Sequence, residues 1–247
     1  MQNILSNFEH NISVVVIGAT GGVGAAFIDA CAQSDKVKNI YALSRHKPSS
    51  LPHKTHWVEI DITNEESVQS AATHIKNDPI DIIITATGIL HAGERSPERS
   101  LRDINLENFE KTFLVNTHGP ALVMKHFLPL LNREKKSVFA SLSARVGSIS
   151  DNNLGGWYAY RASKSALNML TKTASIEVAR RNKLASIITL HPGTVNTNLS
   201  KPFQANVPDN KLFTPEFSAL SLLKVIDEID VTQTGKCFDW QGEEVLP

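Results

Sequence analysis

The chain has 247 residues, enough for one α/β domain that buries its core without staples. Lys plus Arg and Asp plus Glu balance at 25 each, so charge gives no reason to expect nucleic acid or an anionic membrane as a partner. No apolar stretch approaches the ~18 residues of a membrane span, and Cys31 and Cys237 match no metal or redox spacing and read as buried free thiols.

The opening residues, MQNILSNFEHNIS, lack the basic start and apolar run of a signal peptide, so a cytoplasmic protein is expected. From there short β-rich runs alternate with longer amphipathic segments. Strands are predicted over 12–18, 39–44, 56–60, 81–86, 137–143, 185–191 and 235–240. Most are near-continuous apolar runs, as in a parallel sheet buried on both faces. Helices are predicted over 23–34, 65–76, 106–131, 158–181 and 215–228, the second with Asn64 as its N-cap. This alternation predicts one domain over 1–247, an α/β Rossmann fold whose doubly wound, seven-stranded parallel sheet carries helices on both faces. Loops rich in Gly, Pro, Ser and Asn at 90–100, 147–156 and 196–214 follow strands. They therefore lie at the carboxyl edge of the sheet, where open α/β folds bind ligands.

The first strand runs straight into GATGGVG, and a helix follows at once. Without Cβ atoms, Gly18, Gly22 and Gly24 permit a tight turn and let a pyrophosphate approach the backbone, while the helix N-terminus offers unpaired N–H groups. Gly18, Thr20, Gly22, Val23 and Gly24 are the candidate dinucleotide contacts of this turn. The second strand ends in ALSRHK with no acid nearby. Ser44 and Arg45 suit the 2′-phosphate of NADP(H), where an acid would suit the ribose hydroxyls of NAD; the plainer alternative for Arg45 is a solvated side chain. Asp61, after the third strand, either accepts from an adenine amino group or caps the helix starting near Asn64, and Ile62 beside it joins the expected cofactor contacts.

GWYAYRASKSALN (156–168) places Tyr160 one helical turn before Lys164, a weak signal when alone. Here it follows the glycine turn, Asp61, TATG (85–88) and VNTHGP (115–120), lies within SARVGSISDNNLGGWYAYRASKSALNMLTK (143–172), and precedes HPGTVNT (191–197). With these motifs in this order, the chain resembles the short-chain dehydrogenase/reductase family over essentially its full length. The likeness is greatest to its carbonyl-reductase-like branch, which includes the C-factor signalling proteins and sniffer.

The resemblance implies hydride transfer between nicotinamide and a small carbonyl or alcohol substrate; with NADP(H) as the cofactor, which cells keep reduced, the expected direction is reduction. It implies Tyr160 as the proton donor or acceptor, and Lys164 as the cation that favours its phenolate and holds the nicotinamide ribose. Asn116 would organise a water that relays protons to Lys164, and a serine ending the fifth strand would polarise the carbonyl. Thr87 and Gly88 would lie close to the cofactor. Pro192, Gly193, Val195 and Thr197 would surround its carboxamide and pyrophosphate. A homodimer or homotetramer packed through the helices over 106–131 and 158–181 is implied. The C-factor likeness also leaves open an NADP(H)-binding signalling role with little turnover.

Three departures stand out. Ile17 occupies a place where threonine often precedes the first glycine, and Thr85 and Ala86 replace the asparagines of NNAG. SLSAR offers both Ser141 and Ser143 on one strand face, with a longer stretch to Tyr160 than in many members. Ser143, nearer the strand's end, is preferred to Ser141, with Ser148 third. Residues 198–214 mix polar residues with Phe203 and Phe213 and are expected to form a substrate lid. His53-x-x-His56 has no third ligand in view, so no metal is expected, and GERSPERSLRD (93–103) reads as a solvated loop. Trp157 and Tyr158 are candidates for either the core or the substrate pocket.

Overall fold

The computed structural model describes residues 4–90, 96–206 and 208–247. The strands are β1 (Ile12–Ile17), β2 (Val37–Ser44), β3 (Thr55–Glu59), β4 (Ile82–Thr85), β5 (Ser137–Leu142), β6 (Ala185–His191), β7 (Thr194–Val195), β8 (Leu212–Phe213) and β9 (Cys237–Asp239). Seven of them form one sheet in the order β3-β2-β1-β4-β5-β6-β9, all pairings parallel, while β7 and β8 pair separately. The predicted strands are all present, with ends shifted by at most two residues.

The helices are α1 (Gly22–Ala32), α2 (Glu65–Ile75), α3 (Leu106–Phe113), α4 (Gly119–Phe127), α5 (Tyr158–Val178) and α6 (Pro215–Glu228). Strand alternation decides which of them each residue meets. In β1, Val14 and Val16 face a core with Phe27 of α1 and Leu222 and Ile226 of α6. Val15 and Ile17 face the other core, with Val68 of α2, Val123 of α4 and Leu167 of α5. The apolar runs read from the sequence are continuous because both faces are covered. Among the described residues, no helix is long and apolar enough to cross a membrane.

One predicted element is corrected. Residues 106–131 are not a single helix: a π-helical turn, Leu114–His118, separates α3 from α4, and a 3-10 turn, Leu128–Leu130, ends the run. The π turn carries Asn116, whose amide bonds both the N–H and the carbonyl of Ile89 at 2.8 Å. Those two bonds offset the locally disrupted helical ladder. They also tie the helix to the loop beyond β4, beside the switch point between β1 and β4.

Candidate active site

At the end of β1, Gly18 has φ +94°, a left-handed backbone, and a Cβ there would stand 2.9 Å from the Ala86 carbonyl oxygen. Glycine is therefore what lets the turn lie against the end of β4. Beyond it opens a cavity of about 640 Å³. Thr20, Gly22 and Val23 line one end of it. Thr87, Gly88, Ser143, Tyr160, Lys164, Pro192, Gly193, Val195 and Thr197 line the remainder. Gly18 and Gly24 shape the turn without lining the cavity.

Ser44, Arg45, Asp61 and Ile62 stand apart from that cavity, at the ends of β2 and β3. Ser44 does not present its hydroxyl outward as expected. It is buried, its Oγ donates to the His46 carbonyl at 2.7 Å, and it accepts from Trp57 Nε1 at 3.2 Å. The partly buried indole N–H needs an acceptor, and this serine supplies it. Arg45 is exposed. Asp61 does not cap α2. Its Oδ1 accepts from Thr63 N at 2.9 Å and Thr63 Oγ1 at 2.7 Å, while Asn64 takes the cap by accepting from Ser67 N at 3.1 Å. The Thr63 bonds, and then the Arg45 cation, hold the Asp61 carboxyl below the usual carboxylate range. Ile62 is buried, its backbone following Asp61.

Tyr160 and Lys164 share one face of α5, and both are buried. Lys164 Nζ donates to the Leu142 carbonyl at 2.8 Å and lies 5.7 Å from the centre of the Tyr160 ring. Burial pushes the Tyr160 phenol up to about 12 and the Lys164 ammonium down to about 8. The expected lowering of the phenol by its lysine neighbour is thus not what this arrangement gives. Desolvation dominates, and the ammonium is turned toward Leu142. Gly88 sits between the lysine and Asn116, such that a Cβ on it would be 3.5 Å from both Lys164 Nζ and Asn116 Oδ1. The Asn116 amide bonds Ile89 and also Ser163 Oγ at 3.2 Å, and Asn116 itself does not line the cavity.

Ser143 lines the cavity and Ser141 does not, although both are buried. The Ser143 hydroxyl donates to Asn168 Oδ1 at 2.8 Å, and Thr189 Oγ1 reaches the same oxygen at 3.1 Å. Ser141 Oγ is enclosed without a partner among the described residues. Ser148 is turned to its own loop, with its Oγ 3.2 Å from Ser150 Oγ.

One residue that supports the site, Glu98, has no local sequence signal. Glu98 lies in the stretch expected to be solvated, of which 93–95 fall outside the described residues. It is buried, accepts the Ala159 N–H at 3.2 Å, bonds the Asn108 side chain with its other oxygen, and receives the Trp157 N–H on its backbone carbonyl. It therefore secures the start of α5, which the chain reaches through three left-handed residues: Gly155 (φ +64°), Gly156 (φ +66°) and Trp157 (φ +52°). Trp157 lines the cavity and Tyr158 does not. The Trp157 ring meets Tyr160 at 6.3 Å and Phe203 at 5.4 Å. Phe203 belongs to the 3-10 segment Lys201–Asn206, within the expected lid, whereas Phe213 is turned away onto Trp240 at 4.6 Å. His191, ending β6, also lines the cavity. Its Nδ1 is buried without a partner among the described residues, and burial, then Arg145, pushes its imidazole down to about 4.

A chemistry follows from the geometry. One cavity holds a protonated phenol, a buried amine and a serine hydroxyl, and joins them to a glycine-lined helix N-terminus. Comparison with known proteins bears on the family and the fold. The family model described as short chain dehydrogenase matches residues 13–208. Relatives include C-signal of Myxococcus xanthus, 33% identical over 72% of this chain and 99% of that protein. Another is 1-hydroxy-2-glutathionyl-2-methyl-3-butene dehydrogenase of Rhodococcus sp. (strain AD45), 28% identical over 91% of this chain and 94% of that protein. The fold superposes on NADPH-bound carbonyl reductase from chicken fatty liver with a TM-score of 0.83 at 23% identity, covering 100% of both chains. It also superposes on carbonyl reductase Sniffer of D. melanogaster with a TM-score of 0.83 at 22% identity, covering 96% of this chain and 100% of the other.

Proposed function

The chain belongs to the short-chain dehydrogenase family, and from that premise we propose that it is an NADP(H)-dependent oxidoreductase that reduces a small carbonyl compound. The observation that carries this reading is the meeting of Tyr160, Lys164 and Ser143 in one cavity with the glycine turn. Two buried polar atoms on cavity-lining residues, Thr87 Oγ1 and His191 Nδ1, lack partners among the described residues, and they fit a polar ligand such as the nicotinamide carboxamide.

Thr20, Gly22 and Val23, in the turn shaped by Gly18 and Gly24, would hold the pyrophosphate, with Thr197 opposite. Thr87, Gly88, Pro192, Gly193 and Val195 would hold the nicotinamide end, and Asp61 and Ile62 the adenine. Arg45 would take the 2′-phosphate, joined by Ser44 only if its hydroxyl leaves His46. When bound, the cofactor supplies the hydride.

Tyr160, protonated at neutral pH, gives its proton to the carbonyl oxygen as that oxygen gains charge. Lys164, on the next turn of the same helix, would hold the ribose, and its ammonium would stabilise the phenolate left behind once it turns from the Leu142 carbonyl toward the Tyr160 oxygen. Ser143 approaches the same oxygen, oriented by Asn168, and can donate to it by leaving Asn168. Asn116 fixes the Ile89 backbone and so keeps Gly88 and Lys164 in register. An apolar groove between α4 and α5, lined by Met124, Leu128, Leu170 and Val178, supports a homodimer or homotetramer built through these helices.

The test is NADPH consumption against diketones, quinones and aldehydes, with Tyr160→Phe alongside. Turnover reduced by about 10³-fold in the variant, with NADPH binding kept, supports the reading. A second reading is an NADP(H)-binding signalling protein with little turnover, favoured by the 33% identity to a protein named C-signal. Saturable NADPH binding with no turnover across the panel would select it.

A further inference from the structure

The cavity carries a cation that the proton chemistry of Tyr160 does not use. Arg145, in the 3-10 turn Arg145–Gly147 after β5, lines the cavity with Ser143, Tyr160 and Lys164. Its Nη2 donates to Asp239 Oδ2 at 2.9 Å. Asp239, at the end of β9, is buried, and its other oxygen accepts from the backbone N–H groups of Gln241 at 2.9 Å and Glu243 at 3.1 Å. The backbone thus fixes the carboxylate, and the carboxylate fixes the guanidinium, although the arginine side chain is 46% exposed. This is an anchored cation at a cavity mouth rather than a freely solvated one.

A guanidinium presents two edges that can meet a carboxylate side-on, one of Nε with Nη2 and one of Nη1 with Nη2. The bond to Asp239 uses one proton of Nη2. Whichever edge that proton belongs to, the other edge remains whole, and no hydrogen bond to another described residue takes it up. The remaining lining suits an anion with an apolar body. Among the described residues no Asp or Glu lines the cavity, and Trp157, Phe203, Leu90 and Val146 form its apolar wall. The His191 imidazole is neutral at physiological pH and offers no competing ion pair.

We propose that the substrate is a carbonyl compound bearing a carboxylate, which the free edge of Arg145 binds side-on while Trp157 and Phe203 flank an aromatic body. Arg145 then determines specificity in the cavity read above as the site of carbonyl reduction, and the inference rests on that reading. Because Asp239 neutralises part of the charge, selectivity comes chiefly from the paired hydrogen bonds, which corresponds to about a 30-fold preference over an uncharged analogue.

Phenylglyoxylate and its methyl ester make a matched pair of probes. The ratio of their kcat/KM values is measured with NADPH for the wild type, Arg145→Met and Arg145→Lys. The acid-to-ester ratio is expected to fall about 30-fold in Arg145→Met. It is expected to fall less in Arg145→Lys, which keeps an ion pair with Asp239 but has no second edge, and which serves alone should the methionine variant not fold. A ratio that stays within about threefold of wild type in the folded variants overturns the proposal. Binding of each probe, read by indole fluorescence with Tyr160→Phe as the background, needs no turnover. Acid binding that weakens with Arg145 replaced, in a protein that reduces nothing, sinks the hydride-transfer reading and keeps this one. Acid binding that is absent, or indifferent to Arg145, overturns this one whatever the turnover.

Discussion

The Glu98 carboxylate accepts the backbone N–H of Ala159 at 3.2 Å, so the chain beyond β4 is bonded to the residue immediately before Tyr160. Its second oxygen holds Asn108 of α3, and its backbone carbonyl holds Trp157. In Glu98→Gln one of the two side-chain donors faces an amide NH2 instead of an oxygen, which costs about 2 kcal/mol and lowers Tm by about 6 °C. Thermal unfolding checks the stability, and steady-state assays check that kcat falls with it. A variant as stable and as active as wild type would mean that α5 is positioned by other contacts.

Arg45 is exposed and stands apart from the main cavity. If it takes a 2′-phosphate, Arg45→Ala raises the KM for NADPH by about tenfold or more and leaves that for NADH unchanged. Parallel titrations with the two cofactors decide the matter. Equal effects on both, or on neither, identify a solvated arginine.

Lys164, pushed down to about 8 by burial, loses its charge within a range open to assay. The expected kcat/KM for reduction is flat below that pH and falls above it, while Tyr160, at about 12, stays protonated throughout. Lys164→Arg is slower but has no inflection near pH 8, because a guanidinium does not titrate there. A wild-type profile without that inflection would remove Lys164 from the proton chemistry.

His191 sets a pH dependence of stability. Its folded value of about 4 lies below its ordinary 6.5, so between those values the unfolded chain binds the extra proton. Stability is therefore retained above pH 6.5 and lost as the pH falls toward 4, by up to about 2 kcal/mol at pH 5 from this residue. Tm measured from pH 7 to pH 5 should fall more steeply in wild type than in His191→Gln. Parallel curves would assign the acid sensitivity to carboxylates instead.

The strands were legible because a parallel sheet buried on both faces leaves near-continuous apolar runs, and β1, β5 and β6, broken only by small or polar residues such as Ser13, Ser141 and Thr189, are such runs. The cavity residues were legible for a different reason. Gly22, Tyr160 and Lys164 belong to motifs whose spacing follows the chain, and the fold then brings those motifs to one sheet edge. What was not legible depends on partners distant in sequence. The π turn at Leu114–His118 places Asn116 where it bonds Ile89, and hydrophobic periodicity does not register one inserted residue. Glu98 looks solvated until Asn108 and Ala159 close around it. Ser44 looks like a phosphate donor until Trp57 claims its oxygen. Arg145 and His191 become notable only once β5, β6 and β9 lie side by side.

The left-handed entry into α5 specifies chirality as well as shape. At Gly155 a Cβ would meet nothing within 4 Å, so space does not exclude a side chain there; only the mirror-image sense of the backbone does. Trp157 adopts that same sense despite its bulk, at a strain of roughly 1–2 kcal/mol, and Glu98 and the Phe203 ring hold it there. A D-alanine introduced at 155 by chemical ligation would therefore fit where L-alanine is strained. The approach to Tyr160 is written in handedness, a property that the side-chain alphabet can express only through glycine or through strain.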